Sequence, residues 1–124
     1  MIVFAVLALA AQAADRPVEI PEEFRGEFNA SLEDCGTSDN DSLLHVTNDE
    51  VRLFDSTGQV YQLLEQPDGS LVVIALHSGE GEVWTSVYQF RLSPDASVLT
   101  TLYPQTELVG QFSLDRFHCP AGAE

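Results

Sequence analysis

The chain has 124 residues and a formal charge of −15, with 20 acidic residues against five arginines and no lysine. That length suits one domain with a single modest core. So large an acidic excess repels polyphosphate and anionic membrane surfaces, which excludes nucleic-acid binding and directs any partner search to basic proteins.

Residues 1–13, MIVFAVLALAAQA, form an apolar run ending in Ala11-Gln12-Ala13, the small-x-small pattern of a secretory signal peptide, and cleavage is expected before Ala14. The run is too short to span a bilayer, and Asp15 and Arg16 follow it. No Lys or Arg precedes it, which departs from the usual pattern, and no Cys follows the site to carry a lipid anchor. The expectation is an exported chain, periplasmic or secreted, with no membrane anchor after cleavage. Export puts Cys35 and Cys119 in an oxidising compartment, where two cysteines in a small domain read as a disulfide. Closing a loop of about 85 residues stabilises the fold by roughly 4–5 kcal/mol in the chain-entropy model.

Residues 14–25 read as an extended leader ending in one helical turn, with Pro21 at its first position, Glu22 and Glu23 near its positive end, and Phe24 pinning it to the core. The remaining domain, 26–119, carries short strands. In 27–32 Phe28, Ala30 and Leu32 alternate against Glu27, Asn29 and Ser31, and 33–42 has the composition of a loop. Strands at 43–47 and 51–55 follow, then Ser56-Thr57-Gly58 turns the chain into 59–66. Pro67-Asp68-Gly69 is a turn with a mechanism: Pro presets φ, Asp tolerates the bend and Gly takes the left-handed position.

The central stretch, 71–92, reads LVVIALHSGEGEVWTSVYQFRL and predicts a β-hairpin. With 77–82 as its loop, Leu76 pairs with Val83, Ala75 with Trp84, Val73 with Ser86 and Leu71 with Tyr88. Small residues then face large ones, so Leu71, Val73, Ala75, Trp84, Ser86, Tyr88, Phe90 and Leu92 are assigned to the core. The other face carries Val72, Ile74, Leu76, Val83, Thr85 and Val87. It needs a cover, for which the N-terminal segment is the first choice and a partner protein the second. Strands at 98–103 and about 108–114 complete a count of eight.

Turn signals recur at strand-length spacing and no long amphipathic helix interrupts them. The fold class is therefore all-β, an antiparallel up-and-down meander of about eight strands closing into a small barrel. One conflict follows. In such a barrel Cys35 comes after the first strand and Cys119 after the eighth, at opposite ends, yet a disulfide needs Cα atoms within about 7 Å. A miscounted weak strand is the expected reason, ahead of a loop that folds back.

With Gly26-Glu27-Phe28 on the first strand, a helical turn before it and a cysteine near each end of a meander, the chain resembles the calycin-type small barrels. Lipocalins open with Gly-x-Trp, and Phe28 stands where the Trp would be. The layout is also similar to bacterial exported inhibitors of proteases and lysozyme. Residues 24–35, the hairpin Ser78-Gly79-Glu80-Gly81-Glu82-Val83-Trp84 and the terminal Cys further resemble small exported bacterial proteins without an assigned activity. The resemblance implies a fold and hands over no catalytic residue. The basic contact residue of the lysozyme inhibitors has no counterpart in a chain without lysine.

His45, His77 and His118 are too scattered for a catalytic or metal motif, and no HExxH, CxxC or nucleophile elbow occurs, so no enzyme, cofactor or metal is expected. Asp39-Asn40-Asp41-Ser42 offers oxygen ligands that could share one barrel mouth with Glu33, Asp34, Glu80, Glu82 and Glu107, but it lacks the EF-hand spacing and glycine. Gly79-x-Gly81 is half a phosphate loop without its lysine. The candidate partner-binding residues are Asp39, Asp41, His77, Glu80 and Glu82, with His77 taken as a surface loop residue. Asn29-Ala30-Ser31 and Asn40-Asp41-Ser42 match the glycosylation sequon. The resulting expectation is a monomeric protein-binding barrel, in its sharpest form an inhibitor of a basic secreted or periplasmic hydrolase, a protease or lysozyme. The alternative is a lipocalin-type carrier of a small hydrophobic ligand, for which Phe28, Trp84, Tyr88, Phe90 and Phe112 leave little room.

Overall fold

A computed structural model describes residues 18–37, 39–103 and 112–120. Eight strands follow in order: β1 Gly26–Asn29, β2 Leu44–Val46, β3 Glu50–Leu53, β4 Thr57–Glu65, β5 Leu71–Gly79, β6 Glu82–Leu92, β7 Val98–Tyr103 and β8 Phe112–His118. Each pairs antiparallel with its neighbour in sequence, and β1 closes on β8 through Phe28 opposite His118 and Asn29 opposite Phe117. The fold is an up-and-down eight-stranded β-barrel, as the spacing of strands and turns predicts.

The turn chemistry acts as read. Asp68 accepts from the Ser70 amide at 3.0 Å and from its hydroxyl at 2.6 Å, and Gly69 has φ of +87°. These bonds hold the Asp68 carboxyl below the usual carboxylate range. Asp95 receives hydroxyl bonds from Ser97 and Ser93 with the same effect. The turn before β1 is a 3-10 turn, Glu22–Phe24, and it does pin the leader. Phe24 is buried and stacks on Phe90 at 6.4 Å, and Ile20 is fully buried beside it.

The hairpin departs from expectation in register. Gly79 pairs with Glu82, His77 with Trp84, Ala75 with Ser86, Val73 with Tyr88 and Leu71 with Phe90. The connection is only Glu80-Gly81, with φ of +50° and +81°, the double left-handed geometry of a tight type I′ turn. Shortening the loop from six residues to two slides the pairing by two, and a slip of two leaves every side chain on its assigned face. Leu71, Val73, Ala75, Tyr88 and Phe90 are accordingly buried. Trp84 is not: it sits near the strand start, faces inward and stays 39% exposed.

Two further differences have physical reasons. The last strand runs on to His118, four residues past the expected end at Leu114, because inward-facing Arg116 and His118 break the apolar alternation that marks a strand. Residues 104–111, which hold the predicted start of that strand and Glu107, lie outside the described residues. The first strand stops at Asn29 rather than running to Leu32, which enters a second 3-10 turn, Leu32–Asp34, capped by the Ser31 hydroxyl.

That second turn resolves the cysteine conflict. The strand count holds, and the loop folds back. It brings Cys35 to the outer side of β1, where the Cys119 amide already donates to the Glu27 carbonyl at 2.8 Å. The disulfide Cys35–Cys119 forms there with a Cα separation of 5.7 Å.

Candidate functional site

Long strands on one side of the barrel build an apolar surface that no other described residues cover. Outward positions of β5 and β6 bring together Val72, Ile74, Leu76, Val83, Thr85 and Val87, next to Leu64 on β4. Val83 is 66% exposed, and Leu76, Val87 and Leu64 are exposed between 43% and 46%. The N-terminal segment was the expected cover. Its described part instead plugs a barrel end through Ile20 and Phe24, so no described residue of that segment covers this face. Single exposed apolar residues need no explanation, but a cluster of aliphatic side chains on adjoining strands does.

Acidic residues stand around that face. Glu80 and Glu82 are exposed at the hairpin tip and Glu65 at the far end of β4. Asp39 and Asp41 are also exposed, on the connection from β1 to β2, which opens at the same barrel end as the β5–β6 turn. The structure therefore keeps four of the five candidate residues on the surface and removes the fifth.

His77 lies within β5, not in the loop, and is 1% exposed. Its side chain presents no surface to a partner. Ser56 Oγ is 3.0 Å from Nδ1 and Tyr88 Oη is 3.3 Å from Nε2, so a neutral ring, donating through one nitrogen and accepting through the other, satisfies both hydroxyls. Trp84 stacks on it at 5.7 Å. Gly58 makes the room: a Cβ there would stand 2.5 Å from Nε2. Burial pulls the His77 pKa below its ordinary value, with Asp55 opposing only in part.

A second polar group also lies inside the barrel. Arg116 on β8 is 4% exposed, donates through Nε to the Ser42 carbonyl at 2.6 Å, and lies beside the Thr101 and Tyr103 hydroxyls. Burial lowers its pKa, and Tyr103 partly restores it. Tyr88, buried between His77 and Tyr103, has its pKa raised by desolvation first and by Tyr103 second. Sequence reading missed Ser56, Thr101 and Arg116 as interior groups. The only local signal was their position on the inward alternation of their strands or at a strand end.

Among the described residues little interior space remains: the void between Leu44, Val51, Tyr88, Phe90 and Arg116 measures about 10 Å³, the room of one water. Phe28 and Phe90 fill the barrel as expected, whereas Phe112, 53% exposed, stays at the rim with Trp84. A larger groove of about 210 Å³ lies outside, between Pro21, Phe24, Gln66 and Ser70. Of the two sequons, Asn29 is fully buried and inaccessible to a glycosylating enzyme in the folded chain.

Comparisons of this chain with protein-family models, with curated proteins and with solved structures find no match. The class established here is thus architectural: a closed, filled, disulfide-bridged antiparallel β-barrel. No helix among the described residues is long and apolar enough to cross a membrane.

Proposed function

We propose that this barrel is an exported protein-binding module that docks a basic protein against its β4–β6 face, in the narrower form as an inhibitor of a secreted hydrolase. The observation that carries the reading is the pairing of a filled interior with an uncovered aliphatic surface rimmed by Glu65, Glu80 and Glu82. A pocket for a small ligand occupies about 300–1,000 Å³, far above the void found here, so the packing supports a binder over a carrier. Apolar side chains at the centre supply affinity, while the acidic rim and the charge of −15 speed encounter with a basic partner. The disulfide accords with export. The layout resembles that of calycin-type inhibitors, but a resemblance in fold carries no activity with it.

The test is direct binding to a basic lysozyme and a set of secreted proteases, with inhibition read in parallel. Expected is a saturable complex whose association slows with salt, and whose Kd rises at least tenfold in Val83→Asp or Leu76→Asp. Neither binding nor inhibition across the set, or a complex indifferent to both substitutions, removes the proposal.

A further inference from the structure

We propose that reducing the Cys35–Cys119 bridge opens a site for one thiophilic divalent cation, of the zinc or cadmium class, held by Cys35, Cys119 and Glu27 with Asn29 completing the set. The inference stands apart from the docking face.

The two sulfurs and a Glu27 carboxylate oxygen all lie within 4.8 Å of one another. Tetrahedral zinc with sulfur at about 2.3 Å and oxygen at about 2.0 Å needs its ligands roughly 3.5 Å apart, so the two sulfurs, bonded to each other in the bridge, must separate on reduction while the carboxylate oxygen draws in. While the bridge stands the sulfurs are bonded to each other and the site is closed.

Glu27 and Asn29 are what set this place apart from an ordinary disulfide. Both point to the outer side of β1 and are buried under the folded-back loop, Glu27 at 6% and Asn29 at 0% exposure. The Glu27 carboxylate accepts from Asn29 Nδ2 at 2.7 Å and from the Gly36 amide at 2.8 Å, and Cys119 Sγ is 3.7 Å away. Among the described residues no Arg or His forms an ion pair with it, so a buried acid has two donors and no counter-cation. Asn29 Oδ1 is the one buried side-chain polar atom without a hydrogen-bond partner among the described residues. Its Nδ2 is aimed at Glu27 and, at 3.6 Å, at Cys119 Sγ. Turning that amide over would present Oδ1 to a cation seated on the carboxylate and the two sulfurs. Two thiolates and two oxygens then make a four-ligand set suited to zinc.

The chemistry balances. Two molecules of a small thiol reduce the bridge to two cysteine thiols and leave as their own disulfide. The cation then takes both sulfurs as thiolates and releases two protons. Glu27 contributes its existing charge, and the Gly36 amide keeps it oriented.

The experiment uses purified protein reduced with a phosphine in the absence of oxygen, then titrated with cobalt(II) and back-titrated with zinc. Expected is one cobalt per chain with a sulfur-to-metal charge-transfer band and tetrahedral visible bands, displaced by one zinc and absent from the oxidised protein. Glu27→Gln keeps the two sulfurs but weakens zinc at least tenfold, and Cys35→Ser abolishes the charge-transfer signature. Glu27→Gln binding like the parent would mean that the dithiol alone chelates, which overturns the proposal. So would equal binding by oxidised protein, one cation shared by two chains, or a reduced chain that unfolds by circular dichroism and is not refolded by the cation.

Discussion

The two sides of this barrel are stabilised differently. From β4 to β6 the strands are nine, nine and eleven residues long, and no other described residues cover the aliphatic side chains of their outer face. From β8 through β1 to β2 they are seven, four and three residues long, and β1 meets β8 through only two residue pairs. There a loop covers the outer face and a disulfide fastens it. Where the ladder is long, backbone pairing suffices and the surface is free for another use. Where it is short, the seam is closed by sulfur and by the knot of Glu27, Asn29 and Gly36.

The strongest way to break that contrast is to remove the bridge. Cys35→Ser with Cys119→Ser is expected to cost about 4–5 kcal/mol in urea unfolding, less any residual structure in the unfolded chain. Amide exchange should show His118 and Cys119 losing protection before Val73 and Ala75. Equal loss on both sides would erase the distinction between them.

Gly58→Ala tests the long-stranded side from within. Its Cβ would press on the His77 ring, and overpacking of this kind costs roughly 1–3 kcal/mol. In a double-mutant cycle, His77→Ala should remove most of that penalty.

His77 also sets a pH dependence. Its folded pKa is lowered from the ordinary value of about 6.5, so the unfolded chain takes up the proton first. The ring's contribution is complete above that pH and is lost progressively as pH falls from there to the folded pKa. Thermal melts of the parent between pH 7 and 5 should show this slope, and His77→Gln should flatten it.

Smaller effects are expected at the hairpin. Gly81→Ala forces a side chain into a left-handed φ of +81° and should cost about 1 kcal/mol, read as a shift in the urea midpoint. Val83→Asp on the exposed face should move stability by less than about 0.5 kcal/mol while raising the Kd of the proposed partner at least tenfold. A large loss of stability instead would assign Val83 to the core rather than to a docking surface.

Much of this was legible residue by residue. Alternation in 71–92 placed Leu71, Val73, Ala75, Tyr88 and Phe90 inside because a strand's faces follow from period two whatever the partner strand. Asp68-Gly69 and the turn holding Phe24 were equally local. His77 was misplaced because a histidine beside two glycines and two acids has loop composition, and only the Ser56 and Tyr88 hydroxyls, from other strands and turns, make its burial tolerable. Arg116 hid the end of the last strand for the same reason, its partners being Ser42 and Thr101.

What the sequence determined by itself was the strand faces, the turn positions and the two cysteines able to pair, all consequences of backbone periodicity and turn chemistry. Tertiary structure alone decided the hairpin register, the side of β1 on which the sulfurs meet, and which polar groups go inside. A buried polar group is stable only when distant segments bring it hydrogen-bond partners, and no local pattern records those partners.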